Sequence, residues 1–112
     1  MARVHDLDDL KRSETAALFE GARHGDGMAA SIFVTAYPHG RGPDLHTHPY
    51  AEAFVVTEGE GTFTAGDDQI VARAGQVVVV PPETVHGFKN LGEGTLRVVS
   101  VHPSPEVIQT DL

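Results

Sequence analysis

Apolar and polar positions alternate along most of this chain with a period of two, the spacing of a strand that buries one face. In residues 29–37 (AASIFVTAY), Ile32 and Val34 alternate with Phe33, Thr35 and Tyr37. Residues 38–43 (PHGRGP) form a loop by composition, and residues 52–57 (EAFVVT) read as a second strand. Gly59 and Gly61 turn the chain into residues 62–65, and Gly66-Asp67-Asp68 turns it again before an extended run over 69–73. Residues 76–80 (QVVVV) are an unbroken β-branched run ended by Pro81-Pro82, which predicts a strand buried on both faces. Residues 85–89 and 95–102 complete the strand candidates. Turn signals recur roughly every 8 to 12 residues, the rhythm of an all-β sandwich or closed barrel.

Helix is expected only at the margins. Residues 7–11 fit about one turn with Asp6 or Asp8 as cap, and Ser104-Pro105-Glu106 offers a capping residue followed by Pro at the first helical position. The 112 residues fit one domain, with a barrel core over about 29–102, an N-terminal segment 1–28 and a C-terminal tail 103–112. No internal repeat or linker interrupts it.

Composition narrows the function. Sixteen acidic residues against eight basic give a net charge of -8, with no positive footprint for displacing counterions, so a nucleic-acid partner is not expected. No apolar run approaches the ~20 residues that span a bilayer, and the acidic N-terminus lacks the apolar stretch of a secretory signal; a cytoplasmic protein is expected. The chain has no cysteine, which removes disulfides and thiolate metal sites together.

Of the seven histidines, His46, His48 and His86 stand out. Residues two apart on a strand share a face, so the imidazoles of His46 and His48 can reach one point, and Glu52 keeps the same parity despite the bend expected at Pro49. Two histidines and a carboxylate are a recurrent half-site for divalent first-row metals. His86 can join them only if the sheet folds back, which the intervening turns permit.

At this point the chain resembles a small single-domain cupin. The first cupin motif is present as Gly40, His46, His48, Glu52 and Gly59, and the second as Gly75, Pro81, His86 and Asn90, with Glu83 where the family usually has Gly. Residues 60–74 separate the two motifs, the short spacing of small bacterial-type cupins. The resemblance implies an all-β double-stranded β-helix, or jelly-roll barrel. It further implies one divalent transition metal (Fe, Mn, Ni, Cu or Zn) on His46, His48, Glu52 and His86, and a homodimer. It suggests a dioxygenase-like metalloenzyme first, then an isomerase or lyase, acting on a small organic molecule. A non-catalytic module that binds or senses a small ligand or the metal itself is the alternative, and a metal-free sugar-modifying cupin is disfavoured by the intact ligand set. With only residues 1–28 ahead of the first clear strand, no helix-turn-helix is expected there.

Phe54 and Phe88 each lie two residues beyond a ligand candidate and so share its inward face, either lining a substrate pocket or packing in the core. His102 offers a barrel-facing partner for a ligand or an acid–base group, against the blander reading of a solvated strand end. His39, Arg41 and Tyr50 sit in loops beside the first motif and receive no role. No serine nucleophile elbow, phosphate loop or dinucleotide fingerprint is present.

Overall fold

In the computed structural model, which describes residues 2–112, the alternating segments become ten strands. They are β1 (Ala16–Glu20), β2 (Ser31–Tyr37), β3 (His46–Thr47), β4 (Glu52–Glu58), β5 (Glu60–Ala65), β6 (Asp68–Arg73), β7 (Val77–Val80), β8 (His86–Lys89), β9 (Leu96–His102) and β10 (Thr110–Asp111). One sheet has the order β1-β2-β9-β4-β7 and the other β10-β3-β8-β5-β6. Every pairing is antiparallel. From β7 onward each strand lies in the opposite sheet to the one before it, so the chain winds as a double-stranded β-helix.

Strand parity sets what lies between the sheets. Phe54, Val56, Leu96, Val98, Val78 and Val80 point inward from the first sheet and meet Phe63, Ala72 and Phe88 from the second. Fully burying a side chain of this kind contributes about 1.5–3 kcal/mol, so this cluster is the main stabilising element. Two glycines allow the close approaches that frame it. At Gly42 a Cβ would sit 2.0 Å from the Phe88 carbonyl oxygen, so the loop ahead of β3 can lie against β8 only with glycine there. Gly59 turns β4 into β5 at φ 80°, where a Cβ would also meet the Thr95 carbonyl oxygen at 2.5 Å.

Three expectations from sequence are corrected. The valine run is not buried on both faces: β7 is an edge strand paired only with β4, and Val77 and Val79 are 59% and 65% exposed while Val78 and Val80 are buried. Ser104-Pro105-Glu106 bends without forming a helix, and the tail then adds β10 to the second sheet. The N-terminal segment contributes β1 to the first sheet and one helical turn, α1 (Gly21–His24), where no element was expected. The N-terminal turn is a 3-10 helix over Leu7–Leu10, with Asp6 in the cap position but making no capping hydrogen bond. Among the described residues, no helix is long and apolar enough to cross a membrane.

Candidate metal centre

His46 opens β3 and faces His86, the first residue of β8, directly across the ladder. His48 follows β3 by one residue. Glu52 opens β4 in the opposite sheet and points back at them. Asn90 at the end of β8 anchors this corner: its side-chain amide donates to the carbonyls of Tyr37 and Gly94, while its backbone pairs with Gly40 and Arg41. The loop leading into β3 is thus tied to β8.

His46, His48, Glu52 and His86 are each at most 7% exposed, and their candidate ligand atoms lie within 4.8 Å of one another. The hydrogen bonds of the three rings fix their tautomers. Nδ1 of His46 lies 2.6 Å from the Asp44 carbonyl oxygen, Nδ1 of His48 lies 2.7 Å from that of Ile108, and Nδ1 of His86 lies 2.8 Å from that of Thr84. A carbonyl only accepts, so each Nδ1 carries the proton and donates it. In the neutral form of each ring the lone pair is then on Nε2. Two of these nitrogens meet the same carboxylate oxygen, Glu52 Oε1, at 3.2 Å for His48 and 3.1 Å for His86.

Lone pairs aimed at a buried carboxylate repel it unless a cation lies between them, either protons on the rings or a metal ion. The His48 Nε2 atom is buried without a hydrogen-bond partner, the condition a metal ligand would relieve. Imidazole nitrogen and carboxylate oxygen suit a divalent first-row ion, and carbonyl-held Nδ1–H groups are the usual outer support of such ligands. The residues present fit the group.

Electrostatics agree. Burial alone would raise the Glu52 carboxyl, but its contacts with His102, His48 and His86 outweigh that and hold it well below the usual carboxylate range. Burial pushes His46 down and favours its neutral, ligating form. For His48 burial acts in the same direction, but Glu52 and the Ile108 carbonyl overcome it and its pKa is raised.

Two further residues complete the centre. His102 is not a solvated strand end: it is 1% exposed, with Nε2 3.0 Å from Glu52 Oε2 and Nδ1 2.7 Å from the Tyr50 hydroxyl. Tyr50, given no role from sequence, stacks on the His48 ring at a centroid distance of 5.2 Å and an interplanar angle of 6°. Its parity with His46, His48 and Glu52 was a usable signal. His39 instead bonds the Gly92 carbonyl at the surface. Beside the centre lies a cavity of about 220 Å³ that His46, Glu52 and His102 border at one end and Phe33, Tyr37, Phe54 and Phe88 wall with aromatic rings. Phe54 and Phe88 therefore belong to both the core and the cavity.

The family model of the cupin domain matches residues 33–102, which include all four clustered residues. The chain belongs to the cupin family. Among curated relatives, it is 27% identical over 74 residues to an uncharacterized protein of Methanocaldococcus jannaschii, covering 65% of this chain and 59% of that protein. It is 33% identical over 60 residues to a gentisate 1,2-dioxygenase of Haloferax, covering 54% of this chain but 17% of that enzyme. It is 37% identical over 68 residues to the protein SchB of Streptomyces halstedii, 60% of this chain and 49% of that one. This cupin thus spans less than two thirds of the length of each of these relatives.

Solved structures carry the same fold. An uncharacterized Klebsiella pneumoniae protein with a double-stranded β-helix domain superposes with a TM-score of 0.76 at 20% identity, covering 98% of this chain and 96% of that one. The oxalate decarboxylase of Bacillus subtilis, which has Mn(II) centres, superposes at 0.80 and 18% identity over 90% of this chain and 29% of the enzyme.

Proposed function

We propose that this cupin holds one divalent transition metal through His46, His48, Glu52 and His86, and that it is a small metalloenzyme, dioxygenase-like first and isomerase or lyase next. The observation that carries the reading is the set of three imidazoles held at Nδ1 by main-chain carbonyls, with their Nε2 edges clustered with the buried carboxylate of Glu52. Its substrate is a small organic molecule seated in the adjoining cavity. The similarity to a gentisate 1,2-dioxygenase supports the dioxygenase class.

A divalent ion held by His46, His48, Glu52 and His86 would supply Lewis acidity toward an oxygen-bearing ligand. The chain supplies the rest. Glu52 offsets part of the positive charge, the Nδ1–H bonds hold the rings in place, and the aromatic walls exclude water from the organic part of the ligand. Thr35 and Ser100 contribute the hydroxyls along the cavity. The Thr35 hydroxyl already donates to the Val98 carbonyl.

The test is metal content per chain of protein purified without chelator or nickel resin, beside His86→Ala, with oxygen uptake then followed over a panel of small phenolic and carboxylic acids. Near-stoichiometric metal that His86→Ala loses supports the site, and metal absent from the wild type overturns it. Stoichiometric metal with ligand binding but no turnover would leave the non-catalytic binding module.

The reading includes a homodimer. The outer face of the first sheet carries two cross-strand rows of aliphatic residues, Ile32-Val101-Ala53-Val79 and Val34-Val99-Val55-Val77, a surface suited to stacking on a second copy. A monomer by light scattering at tens of micromolar protein would remove it.

A further inference from the structure

Four buried histidines surround Glu52, yet they do not present the same nitrogen chemistry. The backbone N–H of Ile108 donates to the Tyr50 hydroxyl oxygen at 3.2 Å. The Tyr50 O–H is then free to donate to His102 Nδ1, 2.7 Å away. An Nδ1 that accepts a hydrogen bond leaves the ring proton on Nε2. With Tyr50 as the donor, the neutral His102 ring is the opposite tautomer of His46, His48 and His86, each of which donates from Nδ1.

The two oxygens of Glu52 divide along the same line. Oε1 faces the Nε2 atoms of His48 and His86, while Oε2 faces His102 Nε2 at 3.0 Å. His102 Nε2 is buried and is close to Oε2 without an aligned hydrogen bond, so the contact between them is electrostatic. An N–H has no lone pair to give a metal. It can only donate.

We infer that Tyr50 and His102 are positioning residues: the Tyr50 hydroxyl donates to His102 Nδ1 and so sets the Nε2–H tautomer, whose positive edge lies against Oε2 of Glu52 and leaves Oε1 as the oxygen offered to the metal. His102 is thereby excluded from the ligand set although it lies as close to Glu52 as the ligands do. The Ile108 main chain joins the two sides, since its N–H supports Tyr50 and its carbonyl accepts from His48. This inference rests on the metal-site reading above.

The experiment measures Co(II) affinity and the visible Co(II) spectrum of wild type, Tyr50→Phe, His102→Gln and His102→Leu, with circular dichroism and metal-free melting as controls. Tyr50→Phe removes one oxygen and keeps the stacked ring, so its fold is preserved. Removing a hydrogen bond to a metal ligand typically weakens metal binding 10–100-fold, and that loss is expected for Tyr50→Phe and His102→Leu together with a changed Co(II) spectrum. A purely structural role would leave the spectrum unmoved. His102→Gln retains an amide donor and is expected to recover most of the affinity that His102→Leu loses.

Wild type that binds Co(II), with Tyr50→Phe and His102→Leu matching it in affinity and spectrum, overturns the inference alone. His102→Gln losing metal as completely as His86→Ala also overturns it, because His102 would then be a ligand. Wild type that binds no Co(II) overturns this inference and the metal-site reading together.

Discussion

His46 and His86 sit on neighbouring strands of the second sheet, and each ring is held by a carbonyl two residues earlier in its own segment. His48 and His102 are held by groups 60 and 52 residues away in sequence. The first pair is oriented as soon as its local turn forms. The second pair is oriented only after the tail and the first sheet have closed around it. One centre therefore combines a locally built half with a half that depends on the finished fold, and the two halves should respond differently to perturbation.

Removing residues 108–112 strikes the remote half hardest: it deletes the Ile108 carbonyl that holds His48 and the N–H that supports Tyr50, and takes from His46 only its pairing with β10. Metal affinity is expected to fall 10–100-fold. Metal-free melting should fall only slightly, since the lost β10 is a two-residue exposed edge strand and residues 104–107 stay tied to the barrel through the bonds of Ser104, Pro105 and Val107. Unchanged affinity in a metal titration of the truncated protein would show that the remote half is not needed.

The pH dependence should report on the remote half next. His48 has its pKa raised above the ordinary 6.5, so in the metal-free fold it keeps a proton into the neutral range. The stabilisation from that proton is fully present below 6.5 and is lost as pH rises through the raised value. A metal must displace the proton, so apparent affinity should climb by up to about tenfold per pH unit from pH 6 until it levels off above that value. His46, with its pKa lowered by burial, contributes no such step in this window. Titrations at four pH values between 6 and 8 that gave one affinity would contradict the assignment of His48 as a ligand.

The smallest effect belongs to the locally built half. Glu83 stands where the family usually has Gly, and it adopts φ 61° while its N–H donates to the His48 carbonyl at 2.8 Å. The turn before β8 is therefore retained, at the cost of a left-handed conformation of about 1–2 kcal/mol for a residue with a side chain. Glu83→Gly should relieve that strain but loosen the unfolded chain, for a net gain of about 0.5–1 kcal/mol in chemical denaturation and no change in metal affinity. A loss of stability would mean that the Glu83 side chain contributes a contact of its own.

The same division explains what could be read from the sequence. β4 and β9 alternate cleanly because one face of each meets the core, and the candidates His46, His48 and Glu52 followed from their spacing, while His86 was joined to them by the resemblance to the second cupin motif. The valine run of β7 misled because unbroken β-branched residues also suit an edge strand with a bare aliphatic outer face. β1 and β10 were missed because pairing with β2 and β3, and not local pattern, makes them strands; β10 has only two residues and so no period to detect. Tyr50 was hidden by the bend expected at Pro49. Ile108 acts through its main chain, which leaves no trace in residue type.

The centre draws its carboxylate from one sheet and its imidazoles from the other. An ion bound there would act as a rivet between the two walls, resisting any motion that splays them apart at that end. Ala16 from β1, Pro43 from the loop ahead of β3 and Gln109 from the tail also line the cavity and offer a doorway outside the ligand set. Loading the metal would slow breathing of the barrel while leaving that doorway open, so amide exchange in β3, β4 and β8 should slow together and exchange around residues 38–43 should not.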